Sequence, residues 1–150
     1  MSRRWRFSGL FAFLAVTVAG MELWRQERTV ALIEFVVFGV LAVLMSPLLF
    51  PRPVQAAEAQ RRSARDGRPV IYWRPGCPYC MRLRTALGPD AGAAHWVDIW
   101  ADPSGAAAVR AITGGDETVP TMVVAGEGFV NPGPALVREK VRAAAGDAAR

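Results

Sequence analysis

The chain has 150 residues, 52% of them apolar, and a formal net charge of +5. The basic excess does not point to nucleic acid, because residues 1–69 hold ten arginines against five carboxylates while residues 70–150 hold eight charges of each sign. Two cysteines, both in one Cys-x-x-Cys, cannot make the framework of several bridges that stabilises small secreted domains, so their purpose lies in reactivity.

The apolar residues crowd into the first fifty positions. Behind Arg3, Arg4 and Arg6 an apolar run opens at Phe7, and extended through Trp24 it forms a first membrane helix with Trp5 and Trp24 as interfacial anchors. The same basic start, with Ala19 and Gly20 downstream, also fits a cleaved signal peptide. Val30 to Phe50 is 21 residues with one charge, Glu34, close to the polar connection. At about 1.5 Å per residue that run crosses a hydrocarbon core of about 30 Å, and Pro51 and Pro53 end it. The expectation is a membrane hairpin over residues 1–51, with spans at about 7–24 and 30–50. Arginines flank both outer ends and the connecting turn is balanced, so the expectation from the positive-inside rule is a two-pass protein of the cell (inner) membrane with its downstream domain cytoplasmic. Residues 52–68, rich in Pro, Ala, Gln and Arg, read as a basic, partly helical linker whose arginines can lie on anionic headgroups.

From residue 69 the texture is that of a small α/β domain. Val70–Trp73 is a short β-branched and aromatic run, expected as a buried strand. The Pro75-Gly76 turn leads to a helix over Cys77–Leu87 with Pro78 at its first position. A strand at Trp96–Ile99, a helix at Ser104–Ile112, a strand at Thr121–Val124, a turn at Gly126–Gly128, a strand at Phe129–Asn131 and a helix at Pro134–Ala145 complete the order β-α-β-α-β-β-α. Cys-x-x-Cys between the first strand and first helix of such a unit is the arrangement of a thioredoxin-like redox motif.

The chemistry follows from that position. Cys77 faces the unpaired N–H groups and positive dipole end of a helix, which favour thiolate over thiol, and Arg74 adds a positive charge nearby. Cys80, one turn on, is placed to resolve a mixed disulfide formed by Cys77. Pro120 opens a strand without a ladder donor and holds Val119 extended; a cis bond there would present the Val119 backbone to an incoming peptide. Zinc wants four ligands, and only Cys77, Cys80 and His95 are on offer besides carboxylates, so no metal is expected. An iron–sulfur carrier with a soluble thiol as co-ligand, an extracytoplasmic thiol oxidase and a non-catalytic redox-sensitive adaptor stay open as alternatives.

Residues 69–150 resemble the glutaredoxin family. Cys77-Pro78-Tyr79-Cys80 is its dithiol sequence, Arg74 stands in place of the usual Lys, and Thr118-Val119-Pro120 matches its cis-proline motif. Where glutathione-using members carry Gly-Gly-x-Asp, this chain has Val130-Asn131-Pro132-Gly133. Cys80–Leu87, Gly114–Thr121 and Asn131-Pro132 are closer to mycoredoxin, the actinobacterial relative that reduces mixed disulfides of mycothiol, although Pro78 replaces its usual Gly. The resemblance implies a thioredoxin-like fold and a disulfide reductase acting on disulfide-containing or S-thiolated proteins. It implies Cys77 as nucleophile and Cys80 as resolving thiol, with Arg74, Tyr79, Thr118, Val119 and Pro120 binding thiol or substrate. No cofactor is bound on this reading; a low-molecular-weight thiol, mycothiol or glutathione, is the co-substrate, with mycothiol favoured.

Overall fold

Apolar residues over most of its circumference let the first run form a helix, α1 (Arg6–Trp24), which is followed by α2 (Arg28–Leu44). The structure is a computed structural model that describes residues 5–148. Arg3 and Arg4, which entered the topology argument, and residues 149–150 lie outside the described residues. Ser8 Oγ donates to the Ala42 carbonyl at 2.9 Å and the Phe11 and Phe38 rings stack with centroids 6.5 Å apart, so the two helices run antiparallel. Ala15, Ala19 and Ala31 are buried between them, while Phe13, Val16, Leu32 and Val36 face outward and exposed. Small residues inside and large apolar residues outside is the pattern of helices that pack in lipid. One carboxylate oxygen of Glu34 is enclosed and has no hydrogen-bond partner among the described residues.

The hairpin corrects one expectation. Among the described residues only α1 is both long and apolar enough to cross a membrane by length and composition. The second run stops being α-helical at Leu44, not Phe50, leaving 17 helical residues and a short 3-10 turn at Pro47–Leu49. Pro47 has no N–H for the helical ladder and disfavours helical backbone at Ser46, whose Oγ accepts the Leu48 N–H at 3.0 Å. Seventeen residues reach only about 26 Å.

A second compact unit begins at Phe50. Expected at the end of the span, Phe50 is instead part of this unit's core: its ring stacks on Trp73 at 3.7 Å and meets Trp96 edge-on at 5.6 Å. The segment read as a linker is also part of the folded unit. It carries α3 (Ala56–Asp66), whose Ala56 and Ala59 are buried. The Ala56 N–H donates to Asp102 Oδ2 at 2.6 Å, Gln60 Nε2 donates to the Tyr72 hydroxyl at 3.2 Å, and His95 Nε2 meets Asp66 at 2.9 Å. Arg61 and Arg62, on the exposed face, both pair with Glu58 at 2.7 Å, and these bonds hold its carboxyl down to about 2.

The sheet contains β1 (Val70–Trp73), β2 (His95–Asp98), β3 (Thr121–Val124) and β4 (Glu127–Val130) in the order β2-β1-β3-β4. β1 pairs with β2 in parallel and with β3 antiparallel, and β3 pairs antiparallel with β4. All four β1 residues are buried, as a central strand requires. The helices are α4 (Pro78–Leu87), α5 (Pro103–Thr113) and α6 (Pro134–Ala148); α4 packs with α6, and α3 with α5. Residues 70–148 thus follow the expected β-α-β-α-β-β-α order, with α3 added in front. The β3–β4 turn is one step earlier than expected, at Ala125-Gly126, whose φ values of 50° and 80° fit a two-residue type I′ hairpin. Because β1 and β2 are parallel, both end at the same sheet edge, where Arg74 follows β1 and Trp100 lies just past β2.

Candidate active site

Arg74-Pro75-Gly76-Cys77 turns the chain from β1 into α4. Pro75 presets one corner, Gly76 takes φ 75°, and the Cys77 N–H closes back on the Arg74 carbonyl at 3.4 Å. Cys77 is then the N-cap of α4, and its sulfur accepts the Cys80 N–H at 3.2 Å in the place where Ser or Asp more often caps a helix. Pro78 at the first helical position lacks an N–H that would have had no partner there. The Cys77 thiol donates to the Val119 carbonyl at 3.4 Å, and the Val119-Pro120 peptide bond is cis. The proline loop therefore lies directly against the sulfur.

The two cysteines, both free, differ in environment. A hydrogen bond from the Cys80 thiol is the largest influence on Cys77; burial opposes it, and the Cys80 N–H, the Arg74 charge and the Tyr79 N–H also favour thiolate, bringing Cys77 from 9.0 down to about 7. Cys80 has no exposed surface, and burial first, then the adjacent Cys77 sulfur, pushes its thiol far up. One sulfur is ready to attack while the other holds its proton behind it.

Cys77 opens into a groove of about 470 Å³ lined by Arg74, Tyr79, Thr118 and Val119 among the expected residues, and by Asp116, Glu117 and Asn131. Pro120 lines a neighbouring cavity of about 190 Å³ that shares Tyr79 and Asn131 with the first and continues to Arg82 and Pro132. Tyr79 is 61% exposed and stands between the two. Cys80 lines neither, in keeping with its burial. Asn131 takes φ 49°, which Asn tolerates better than most residues, and its N–H donates to the Pro120 carbonyl at 2.8 Å. Asp116 and Glu117 escaped the sequence reading because a carboxylate in a Gly-rich loop looks like solvated surface. Arg110 holds Glu117 at 2.6 Å, and the Thr113 hydroxyl donates to the Asp116 carbonyl, so α5 fixes this loop on the groove. His95, by contrast, lies at the foot of β2 against Asp66 and lines neither cavity.

A dithiol capping the first helix after the central strand, faced by a cis-proline loop on this sheet order, defines the thioredoxin-like class of redox domains. Residues 70–130 match the family model described as Glutaredoxin. Two Mycobacterium tuberculosis proteins provisionally named as glutaredoxins, from strains H37Rv and CDC 1551, are each 39% identical over 78 residues, covering 51% of this chain and 93% of the relative. The chain belongs to the glutaredoxin family, whose general activity is thiol–disulfide oxidoreduction.

Proposed function

We propose that this protein is a membrane-anchored, mycoredoxin-like disulfide reductase that removes a low-molecular-weight thiol from S-thiolated proteins or reduces protein disulfides. The observation that carries this reading is the asymmetry of the pair: Cys77 caps α4 with a pKa of about 7 at the groove, and Cys80 is buried one turn behind. Cys77 thiolate attacks one sulfur of the substrate disulfide, forming a mixed disulfide and releasing the other sulfur as a thiol after protonation. Cys80 then loses its proton and attacks Cys77, releasing the second thiol and leaving a Cys77–Cys80 disulfide, which two molecules of low-molecular-weight thiol reduce. Where such a thiol attacks the mixed disulfide first, Cys80 is not needed. Tyr79, Thr118, Val119 and Pro120 supply the walls against which the substrate lies, and Arg74 supports the thiolate.

Mycothiol suits the groove better than glutathione. Glutathione brings two carboxylates and one ammonium, whereas among the described residues the groove offers one guanidinium, Arg74, against the carboxylates of Asp116 and Glu117. A neutral, hydroxyl-rich thiol avoids that repulsion and can use the Asn131 amide, which both donates and accepts. Anchoring is supported by the inverted α1–α2 hairpin, and a cytoplasmic domain by the arginines of residues 52–68.

The test uses the full chain in detergent with a protein mixed disulfide of mycothiol and the same protein mixed with glutathione. Native protein is expected to reduce the mycothiol adduct faster, Cys77→Ser to lose turnover, and Cys80→Ser to keep part of it. Full turnover by Cys77→Ser would sink the assignment, and a preference for glutathione would overturn the choice of thiol.

A further inference from the structure

Among the described residues the groove contains one cation, Arg74, and its long side chain needs something to hold it in place. Arg74 leaves the end of β1, and its guanidinium carbon lies 5.6 Å from the centre of the Trp100 ring, which comes from beyond the end of the parallel strand β2. Guanidinium over an indole face is favourable both as cation–π contact and as stacking, and a Lys ammonium has only the first. Trp100 is itself anchored. Its backbone N–H donates to Asp98 Oδ1 at 3.0 Å, Asp98 is 1% exposed, the preceding Ile99 backbone N–H donates to the Trp73 carbonyl at 3.0 Å, and Trp100 packs against the core. Yet Trp100 lines neither cavity at the dithiol.

We propose that Trp100 is a positioning residue for the reaction inferred above: its indole face holds the Arg74 guanidinium at the mouth of the Cys77 groove. Trp100 touches neither the sulfur nor the substrate; it acts through Arg74. The arrangement gives a reason for Arg at this position, because a planar cation can lie on a fixed ring at the sheet edge while still lining the groove. Arg74 is among the influences that favour Cys77 thiolate, though not the largest.

This inference rests on the reductase reading for its purpose, but its test does not need turnover. In the reduced full chain in detergent, the Cys77 thiolate is followed by its ultraviolet absorbance and by iodoacetamide alkylation as pH is varied. Arg74→Ala is expected to move the titration up by about half a unit to one unit, toward the lower end of what one nearby opposite charge does. Trp100→Leu, which keeps an apolar side chain without the ring face, is expected to move it in the same direction by a similar amount. The double variant is expected to move no further than Arg74→Ala alone, and Trp100→Phe to stay near the native value. Trp100→Met is measured alongside with far-UV circular dichroism, so that one unfolded variant does not decide the outcome. A native titration in folded Trp100→Leu or Trp100→Met, or shifts that add in full in the double variant, would overturn the proposal. If the shifts appear as expected while native protein turns over no mixed disulfide, the reductase reading fails and the positioning role stands.

Discussion

Only Pro78 and Tyr79 separate Cys77 from Cys80, yet the two sulfurs are driven in opposite directions because one is the cap of a helix and the other is inside it. Alkylation of the reduced protein by iodoacetamide should rise with a midpoint at pH about 7 and modify Cys77 first, as mass spectrometry of the product would report. A midpoint near 9, the ordinary value, would mean that the helix and Cys80 give the sulfur no help. The same shift has a stability consequence. Cys77 releases its proton at lower pH folded than unfolded, so its contribution is in place above about pH 9 and is lost as pH falls through about 7. Cys80 has the opposite sign, since its raised pKa costs stability once the unfolded thiol begins to ionise. At this scale the grouping of residues was largely legible: Arg74, Cys77, Tyr79, Thr118 and Val119 all line one groove, with Pro120 in the next. Asp116, Glu117 and Trp100 were not legible, because nothing in their neighbours' identities says that the loop after α5 lines the groove or that the end of β2 meets Arg74.

Among the elements, the strands and the three later helices were legible from short β-branched runs, Pro at helix starts and Gly at their ends, whereas α3 was legible only as a partly helical linker and not as part of the folded unit. Its buried face is two alanines, and its other residues are Arg, Gln, Glu, Ser and Asp, so composition alone reads as solvated chain. What holds it is geometry that appears only on folding. Asp102 caps α5 through the Ser104 N–H at 2.9 Å and, with its other oxygen, accepts the Ala56 N–H at the start of α3. Burial alone would raise the Asp102 carboxyl, but the N–H of Ala56 and the hydroxyl and N–H of Ser104 outweigh it and bring it below the usual carboxylate range. Asp102→Ala removes a cap and a charge-assisted bond together and should cost about 2 kcal/mol. Asp102→Asn, which keeps a capping oxygen, should cost less. Chemical denaturation of the reduced proteins at neutral pH distinguishes them, and the difference between native and Asp102→Ala should shrink as pH falls through the lowered carboxyl pKa. Equal stability of all three would mean that α3 and α5 are held by packing alone.

For the molecule as a whole, the question is where the redox unit begins, and the two readings place it almost twenty residues apart. Composition put the start at residue 69, after a linker; contacts put it at Phe50. The discrepancy has one cause: hydropathy assigns Phe50 to the apolar run it ends and cannot see the Trp73 and Trp96 rings it packs between. Truncation decides between them. A fragment over residues 50–150 keeps the aromatic cluster, both α3 alanines, the Ala56–Asp102 bond and the contacts of α3 with Tyr72 and His95. A fragment over residues 69–150 exposes the faces of Trp73 and Trp96 that Phe50 covers and leaves Asp102 with one helix instead of two. Deleting a buried Phe side chain typically costs about 3–5 kcal/mol, and a small domain has only about 5–15 kcal/mol in total. The shorter fragment should therefore melt well below the longer one, or fail to fold, while its dithiol sequence is unchanged. Thermal unfolding by circular dichroism, with Cys77 alkylation at pH about 7 as a second readout, measures both consequences. Equal melting temperatures would return residues 50–68 to the role of a tether, and would mean that this sheet and its three following helices suffice to hold the Cys77 thiolate.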